Sequence, residues 1–152
     1  MATTAARLGR DLPACQIAVA SDIPVARGLG SSAAAIVAGI HAAGFVLDVP
    51  LDSALVVDIG GEMEGHADNI SASELGGAPV SLRAARGWVA EVLAPALPWE
   101  VVALVPDAPA FTVEARGILP AAVPIPDAVA NIGRAAMLAL ALRDGRGDLL
   151  RE

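Results

Sequence analysis

The sequence predicts an α+β fold, and three observations on its 152 residues lead to this prediction. The chain is 55% hydrophobic, which is enough to build a sizeable core. Segments that alternate like strands are mixed with segments that have the period of an α-helix. Their order is strand, helix, helix, hairpin, strand, helix and helix, which lacks the regular repeat of a parallel βαβ series.

The N-terminal segment is expected to form a short helix and then a strand. Residues 3–12 have an amphipathic helical pattern, and residues 15–20 alternate like a half-buried strand that Pro24 ends. Cys15 is the only cysteine, so it cannot form an internal disulfide or a zinc cluster. Its apolar neighbours predict an inert, buried thiol.

A glycine-rich loop leads into the next predicted helix. Ser31 or Ser32 stands where a helix N-cap belongs, and residues 33–46 have a helix-forming composition. Apolar residues surround most of this helix, which predicts burial on nearly all sides. His41 lies within it and is expected to be a core histidine rather than a ligand.

A second helix is predicted over residues 53–65. Its core stripe is predicted to hold three residues four apart: Leu55, Ile59 and Met63. The pair Gly60-Gly61 lies inside it, although each glycine costs about 1 kcal/mol relative to alanine in a helix. The glycines therefore predict a close approach of another part of the chain.

A turn, a hairpin and a second module are predicted to follow. "HADN" at residues 66–69 and "LGG" at residues 75–77 are typical of turns, and residues 78–84 and 88–93 are expected to pair as a hairpin. The proline-rich "APALP" favours a boundary between two domains, residues 1–95 and 96–152. The second domain is predicted to hold a strand at residues 99–105 and two helices, at residues 112–119 and 127–143. Gly145 stands just past the end of the last helix, where a glycine is typical.

Composition and charge exclude several classes of function. A net charge of −7 and only four aromatic residues (two Trp, two Phe) argue against a nucleic-acid partner. The absence of lysine excludes a P-loop lysine and a Schiff-base lysine. The N-terminus lacks the apolar core of a secretory signal, and the longest apolar run is shorter than the roughly 20 residues of a membrane span. A cytoplasmic protein without a membrane partner is expected.

The glycine-rich loop is the first candidate site. Glycines let the backbone approach a ligand closely, and a helix start offers unpaired N–H groups with a partial positive charge. Phosphate groups bind at such helix starts. The spacing matches neither of two common phosphate-binding fingerprints, so a tight strand-to-helix turn is the alternative interpretation.

The second candidate site is the polar segment "GGEMEGHADN". It gathers five polar side chains in an otherwise apolar region: Glu62, Glu64, His66, Asp68 and Asn69. Helical spacing would put Glu62 and His66 on one face, and carboxylates suit Mg²⁺ beside substrate phosphates. The alternative is a solvated helix end followed by a turn.

The third candidate site is "FTVEARGILP". Thr112 and Arg116 stand four apart at a predicted helix start, and an arginine there can bind a carboxylate or a phosphate with two parallel hydrogen bonds. A surface salt bridge with Glu114 is the alternative. Arg27, just before the glycine turn, has the same two interpretations.

Together these segments resemble the homoserine kinase branch of the GHMP kinases. "IPVARGLGSSAAAIVAGI" is similar to the family's glycine-serine ATP motif, and "EMEGHADN", "LGG", "TVEARGILP" and "DAVANIGRAAMLALAL" follow in the family's order. The resemblance implies the GHMP kinase fold: an N-terminal α+β domain like that of a ribosomal protein, then a ferredoxin-like domain, with the active site between them. Family members are longer, so the first domain is expected to lack its first strands and the second to be only begun.

The resemblance implies transfer of the ATP γ-phosphoryl group to the hydroxyl of L-homoserine, a step of threonine synthesis, with ATP and Mg²⁺ required. The phosphates would be held by Arg27, Gly28, Leu29, Gly30, Ser31, Ser32 and Ala33. Mg²⁺ would be held by Ser32 and Glu62. The amino-acid site would be lined by His66, Asp68, Asn69, Thr112 and Arg116. Catalysis would rest on Glu62, Asn69 and Arg116.

The resemblance also suggests that no dedicated general base is needed, so Asp68 is interpreted as a ligand of the substrate ammonium. Family analogy favours a homodimer. Two other functions stay open at this point: a non-catalytic GHMP-type module that binds a nucleotide or a partner chain, and a GHMP kinase that acts on another small alcohol.

Overall fold

Helices and one hairpin form the structure, a computed structural model that describes residues 1–105 and 120–151. In chain order the elements are α1 (Ala2–Arg7), α2 (Ser31–Leu47), α3 (Ser53–Glu64), α4 (Asp68–Leu75), β1 (Ala78–Ala84), β2 (Gly87–Ala94), α5 (Ile125–Asp144) and a 3₁₀ helix (Gly147–Arg151). The mixture of helices with a two-stranded sheet is the predicted α+β fold.

Helix α3 begins and ends as predicted. The side chain of Asp52 accepts a hydrogen bond from the backbone N–H of Leu55 at 2.8 Å, which caps the helix start. Gly65 ends the helix with φ of 82°, a left-handed conformation that suits glycine. Ile59 is buried and Leu55 packs against the core as predicted, but Met63 is exposed in the last turn.

The core lies between α2, α3 and α4. Its buried residues form one cluster: Ala33, Val37, Ile40, Val56, Ile59 and Ile70. A Cβ on Gly60 would lie 2.6 Å from Cγ2 of Ile70, and a Cβ on Gly61 would lie 2.6 Å from the Trp88 ring. The close approach predicted from the glycine pair is confirmed, because α4 and β2 pack directly on these two glycines.

The predicted hairpin is confirmed. Strands β1 and β2 pair antiparallel, with Leu82 opposite Val89 and Arg83 opposite Trp88. The N–H of Trp88 donates a hydrogen bond to Oδ1 of Asp58 at 2.8 Å, which ties the hairpin to α3. This contact fixes the hairpin beside the helix that carries the candidate carboxylates.

Two predicted strands are wrong. Residues 15–20 and 99–105 have no strand conformation, and apolar side chains in both segments, such as Ile17 and Leu104, are exposed. A strand needs a hydrogen-bonded neighbour, and within the described residues the only paired strands are β1 and β2. Cys15 is exposed with its segment, so its predicted burial is also wrong.

Helix α2 is buried on one side rather than all round. Phe45 is 88% exposed, while Val37 and Ile40 face the core. His41 is on the exposed side and bonds Glu74 of α4, so the prediction of a core histidine is wrong. The pattern misled because small and apolar residues cover this helix on faces that no other described element packs against.

The remaining helices differ in length or were not predicted. Helix α1 ends at Arg7, where Gly9 with φ of 63° stops any extension to residue 12. The predicted "HADN" turn becomes the start of α4 at Asp68. The predicted helix at residues 112–119 lies outside the described residues.

Helix α5 is confirmed, and Gly145 ends it as predicted. Ala141 is its only buried residue, so nearly all of its apolar surface is exposed. Within the described residues it is the single helix that is long and apolar enough to cross a membrane. That finding rests on length and composition only, which core helices of other proteins also satisfy.

Candidate active site

The glycine loop turns the chain into α2 with three left-handed residues. Ala26, Gly28 and Gly30 have φ values of 56°, 72° and 75°. Gly30 is the N-cap residue of α2, and no side chain caps this helix, so the predicted cap at Ser31 or Ser32 is wrong. The first helical hydrogen bond runs from the N–H of Ala34 to the carbonyl of Gly30 at 2.9 Å. Since no side chain of the described residues makes a cap bond at this helix start, its leading N–H groups could bind an anion.

A cavity of about 300 Å³ opens over this helix start. Its lining comes from the loop, from the first turns of α2 and from two residues of other segments: Pro24, Val25, Ala26, Arg27, Gly28, Leu29, Gly30, Ser31, Ser32, Ala35, Glu64 and Asn69. The lining thus combines a glycine-rich backbone and two serines with a carboxylate and an amide.

Glu64 supplies the carboxylate, from the last residue of α3. Its Oε2 is buried and has no hydrogen-bond partner within the described residues. Leaving a carboxylate oxygen buried and unsatisfied is costly, and a cation bound at this position would remove that cost. A hard divalent cation such as Mg²⁺ prefers oxygen ligands of this kind, so the donor set fits it.

Glu62 has a different environment. Its Oε2 accepts a hydrogen bond from Nη1 of Arg7 at 3.1 Å, and Nη2 of the same arginine bonds Oδ2 of Asp58 at 2.6 Å. Glu62 is not among the residues that line the cavity. Residues two apart on a helix do not share a face, so Glu64 faces the cavity while Glu62 faces α1.

His66, Asp68 and Asn69 form a connected group at the start of α4. Nδ1 of His66 is hydrogen-bonded to Oδ1 of Asp68, which also accepts the backbone N–H of Asn69 at 2.7 Å. Glu62 and His66 do not share a helix face as predicted, because Gly65 ends α3 before His66. The side chain of Asn69 lies against the loop, with Oδ1 3.7 Å from where a Cβ on Gly30 would be.

A second cavity of about 250 Å³ lies on the other side of Asn69. It shares three lining residues with the first cavity and adds four others: Ile23, Leu29, Gly30, Ala34, Asn69, Ala72 and Ser73. Asn69 and the turn at Gly30 therefore form a wall between two adjoining spaces.

The structure brings most of the predicted phosphate-binding residues together with Asn69. Ala33 is fully buried in the core, so only its backbone could face a ligand. His66 and Asp68 adjoin Asn69 along the chain, while Thr112 and Arg116 lie outside the described residues. The sequence placed Glu64 in the second candidate site, but the metal was assigned to Glu62 and not to Glu64. Helical spacing could have separated the two glutamates. Glu62 is four residues after Asp58 and shares its face of α3, whereas Glu64 lies on a different face.

Comparisons with known proteins show the family to which this chain is related. Residues 1–77 match the family described as GHMP kinases N terminal domain. A homoserine kinase from Deinococcus radiodurans is 42% identical over 151 residues, which is 99% of this chain and 49% of the relative. A homoserine kinase from Streptomyces coelicolor is 44% identical over 138 residues, which is 89% of this chain and 45% of the relative.

A solved structure assigned to a homoserine kinase of Listeria monocytogenes superimposes on this chain with a TM-score of 0.71 at 31% sequence identity. The superposition covers 86% of this chain and 44% of the Listeria chain. The chain spans about half the length of the curated relatives it matches. The family match covers half of the chain and includes the glycine loop, the cavity residues and the start of α4. The chain belongs to the GHMP kinases and has their fold, and the relatives above are homoserine kinases.

Proposed function

We propose that this chain carries the nucleotide site of an ATP-dependent homoserine kinase. The proposed reaction transfers the γ-phosphoryl group of ATP to the hydroxyl of L-homoserine and yields O-phospho-L-homoserine, as a cytoplasmic step of threonine synthesis. The observation that carries the proposal is a cavity lined by the start of α2 and by Glu64, whose Oε2 is buried without a hydrogen-bond partner among the described residues.

The phosphates of ATP would lie over the glycine loop. Backbone N–H groups from Gly28 to Ala33 would donate to phosphate oxygens, because glycines at positions 28 and 30 keep side chains out of the way. Arg27 lines the same cavity and would add charge to phosphate binding. This arrangement replaces the lysine of a P-loop, which the chain lacks.

Mg²⁺ would be held by Ser32 together with Glu64. Both line the cavity, and Oε2 of Glu64, which has no partner among the described residues, favours this carboxylate over Glu62, which is already paired with Arg7. When bound, the cation neutralises the charge that develops on phosphate oxygens during transfer. Ser32 would contribute a hydroxyl and Glu64 a carboxylate to that site.

The acceptor would bind next to Asn69. His66, Asp68 and Asn69 are contiguous at the start of α4, and Thr112 and Arg116 would complete the amino-acid site. We assign Asp68 to the substrate ammonium, because phosphoryl transfer can rest on positioning and charge neutralisation without a strong base. Arg116 would bind the carboxylate of L-homoserine through two parallel hydrogen bonds.

At the level of the whole chain, we propose a GHMP N-terminal domain at residues 1–95 and the beginning of a C-terminal domain at residues 96–152. The active site would lie between them. We further propose self-association as a homodimer, which the exposed apolar residues of α5 support.

The test is an assay of ADP release with L-homoserine, L-serine, mevalonate and galactose as acceptors, together with calorimetric titration of ATP. Preference for L-homoserine is expected. Preference for another alcohol would make this a different GHMP kinase, and ATP binding without any transfer would support a non-catalytic nucleotide module. Absence of ATP binding would contradict the nucleotide site itself.

A further inference from the structure

A buried carboxylate joins the three helices that surround the proposed nucleotide site. Glu74 lies in the last turn of α4, and its side chain is only 8% exposed. Oε2 of Glu74 is 2.7 Å from Nε2 of His41 on α2, and Oε1 accepts a hydrogen bond from Oγ of Ser53 at 2.8 Å. Ser53 is the first residue of α3, so α2, α3 and α4 each contribute one member.

The chemistry of the contact fixes its donors and acceptors. An ionised carboxylate only accepts hydrogen bonds, so His41 presents an N–H at Nε2 and Ser53 donates its hydroxyl proton. Each oxygen of Glu74 thus has one partner, which is what burial of a carboxylate requires. Removal of either partner leaves one oxygen of a nearly buried group unsatisfied.

The same helix carries Asn69 at its other end. Asn69 is five residues before Glu74, about 7.5 Å along a helix axis, and its side chain rests against Gly30 of the glycine loop. Helix α4 has only eight residues, and the bonds of its first turn are local: Oδ1 of Asp68 accepts the N–H of Asn69, and Oγ of Ser71 donates to the Asp68 carbonyl. These bonds hold the turn together but do not place it against the loop. Contacts with its neighbours must decide where Asn69 lies.

We propose that Glu74 is a positioning residue that fixes the first turn of α4, and with it Asn69, against the glycine loop. The bond to His41 holds α4 to the helix that begins at the loop, and the bond to Ser53 holds it to the helix that ends at Glu64. The consequence for ligand binding rests on the proposed nucleotide site, whereas the consequence for the structure of α4 does not.

Hydrogen exchange tests the structural part without a ligand. The amides to follow are those of Ser71, bonded to the Ala67 carbonyl at 2.8 Å, and Ala34, bonded to the Gly30 carbonyl at 2.9 Å. In Glu74→Ala, both should exchange about tenfold faster relative to the core amide of Ile59, which a uniform loss of stability would not produce. In Glu74→Gln the side-chain amide can still form hydrogen bonds with His41 and Ser53. The backbone amides of Ser71 and Ala34 should therefore exchange as slowly in this variant as in the native chain.

Equal acceleration at Ile59, or a change confined to the last turn of α4, would overturn the proposal. His41→Ala is a milder variant, since His41 is half-exposed and Ser53 remains; it should shift the same amides in the same direction. It keeps the test decisive if Glu74→Ala does not fold. Glu91→Ala, on the exposed side of β2, is the control and should change neither amide.

A double-mutant cycle tests the functional part with Mg·ATP as the probe. Glu74→Ala should weaken binding about tenfold in the native background but not in the Asn69→Ala background, because it acts through Asn69. Additive losses would contradict positioning through Asn69. If the native chain does not bind Mg·ATP, the proposed function fails, and the exchange rates alone decide the role of Glu74.

Discussion

Gly60 and Gly61 show how the absence of a side chain shapes this fold. Both lie inside α3, where glycine is disfavoured, yet both are buried because Ile70 and Trp88 pack directly on their backbone. The cost in helix propensity is offset by the close packing of α4 and β2. A side chain at either position would separate those elements from α3.

Gly60→Ala is therefore expected to destabilise the chain by about 1–3 kcal/mol through overpacking against Ile70, despite the better helix propensity of alanine. Gly133→Ala is the matched control. Gly133 is also inside a helix, α5, but among the described residues a Cβ there meets nothing within 4 Å, so stability should rise by up to about 1 kcal/mol. Urea unfolding of both variants measures the difference, and a destabilised Gly133→Ala would contradict the account.

The carboxylates of α3 show what residue-level sequence reasoning could and could not reach. The resemblance to the GHMP kinases implied that one carboxylate of this helix and Ser32 of the glycine loop hold the same Mg²⁺. It assigned the metal to Glu62, whereas the structure has Glu62 paired with Arg7 and Glu64 in the cavity. Helix phase separates the two residues, but the partner of Glu62 comes from α1, which spacing within α3 does not reveal.

At the scale of elements, α1 is held to the rest of the fold by two kinds of contact. Arg7 bonds Asp58 and Glu62 of α3, and Thr4 is fully buried against α2 and its surroundings. Oγ1 of Thr4 has no hydrogen-bond partner within the described residues. The helix is thus anchored partly by packing that leaves one polar atom unsatisfied.

Thr4→Val is expected to raise the free energy of unfolding by about 1 kcal/mol, because it replaces a buried, unpaired hydroxyl with a methyl group of the same shape. Thr3→Val, at the exposed neighbouring position of the same helix, controls for helix propensity and should change stability by less than about 0.5 kcal/mol. Thermal or urea unfolding decides. A loss of stability in Thr4→Val alone would mean that the hydroxyl has a partner.

Helices were predicted better than strands because their hydrogen bonds are local. The caps at Asp52 and Gly145 and the periods of α3 and α5 were sufficient to locate those helices. Helix α4 was missed because its sequence has few apolar residues and begins with turn-forming ones. Its position depends on contacts with other helices, among them the packing of Ile70 on Gly60 of α3.

At the scale of the whole molecule, pairing decides which apolar segments become strands. The hairpin was predictable because both of its strands are adjacent in sequence. Residues 15–20 and 99–105 have the composition of strands, but their side chains are exposed and they pair with no described strand. The composition of a segment shows that it can form a strand. It becomes one only where a second strand is present to form backbone hydrogen bonds with it.

The central claim is that the cavity between the glycine loop and Glu64 binds ATP together with Mg²⁺. Calorimetric titration of ATP, with and without Mg²⁺, tests it on the native chain, Glu64→Gln and Glu62→Gln. Circular dichroism checks that each variant is folded. We expect Mg²⁺ to tighten ATP binding of the native chain by about tenfold or more, in keeping with the strength of interactions with charged groups. Glu64→Gln should lose most of that gain and Glu62→Gln should keep it; loss in Glu62→Gln with retention in Glu64→Gln would contradict the account.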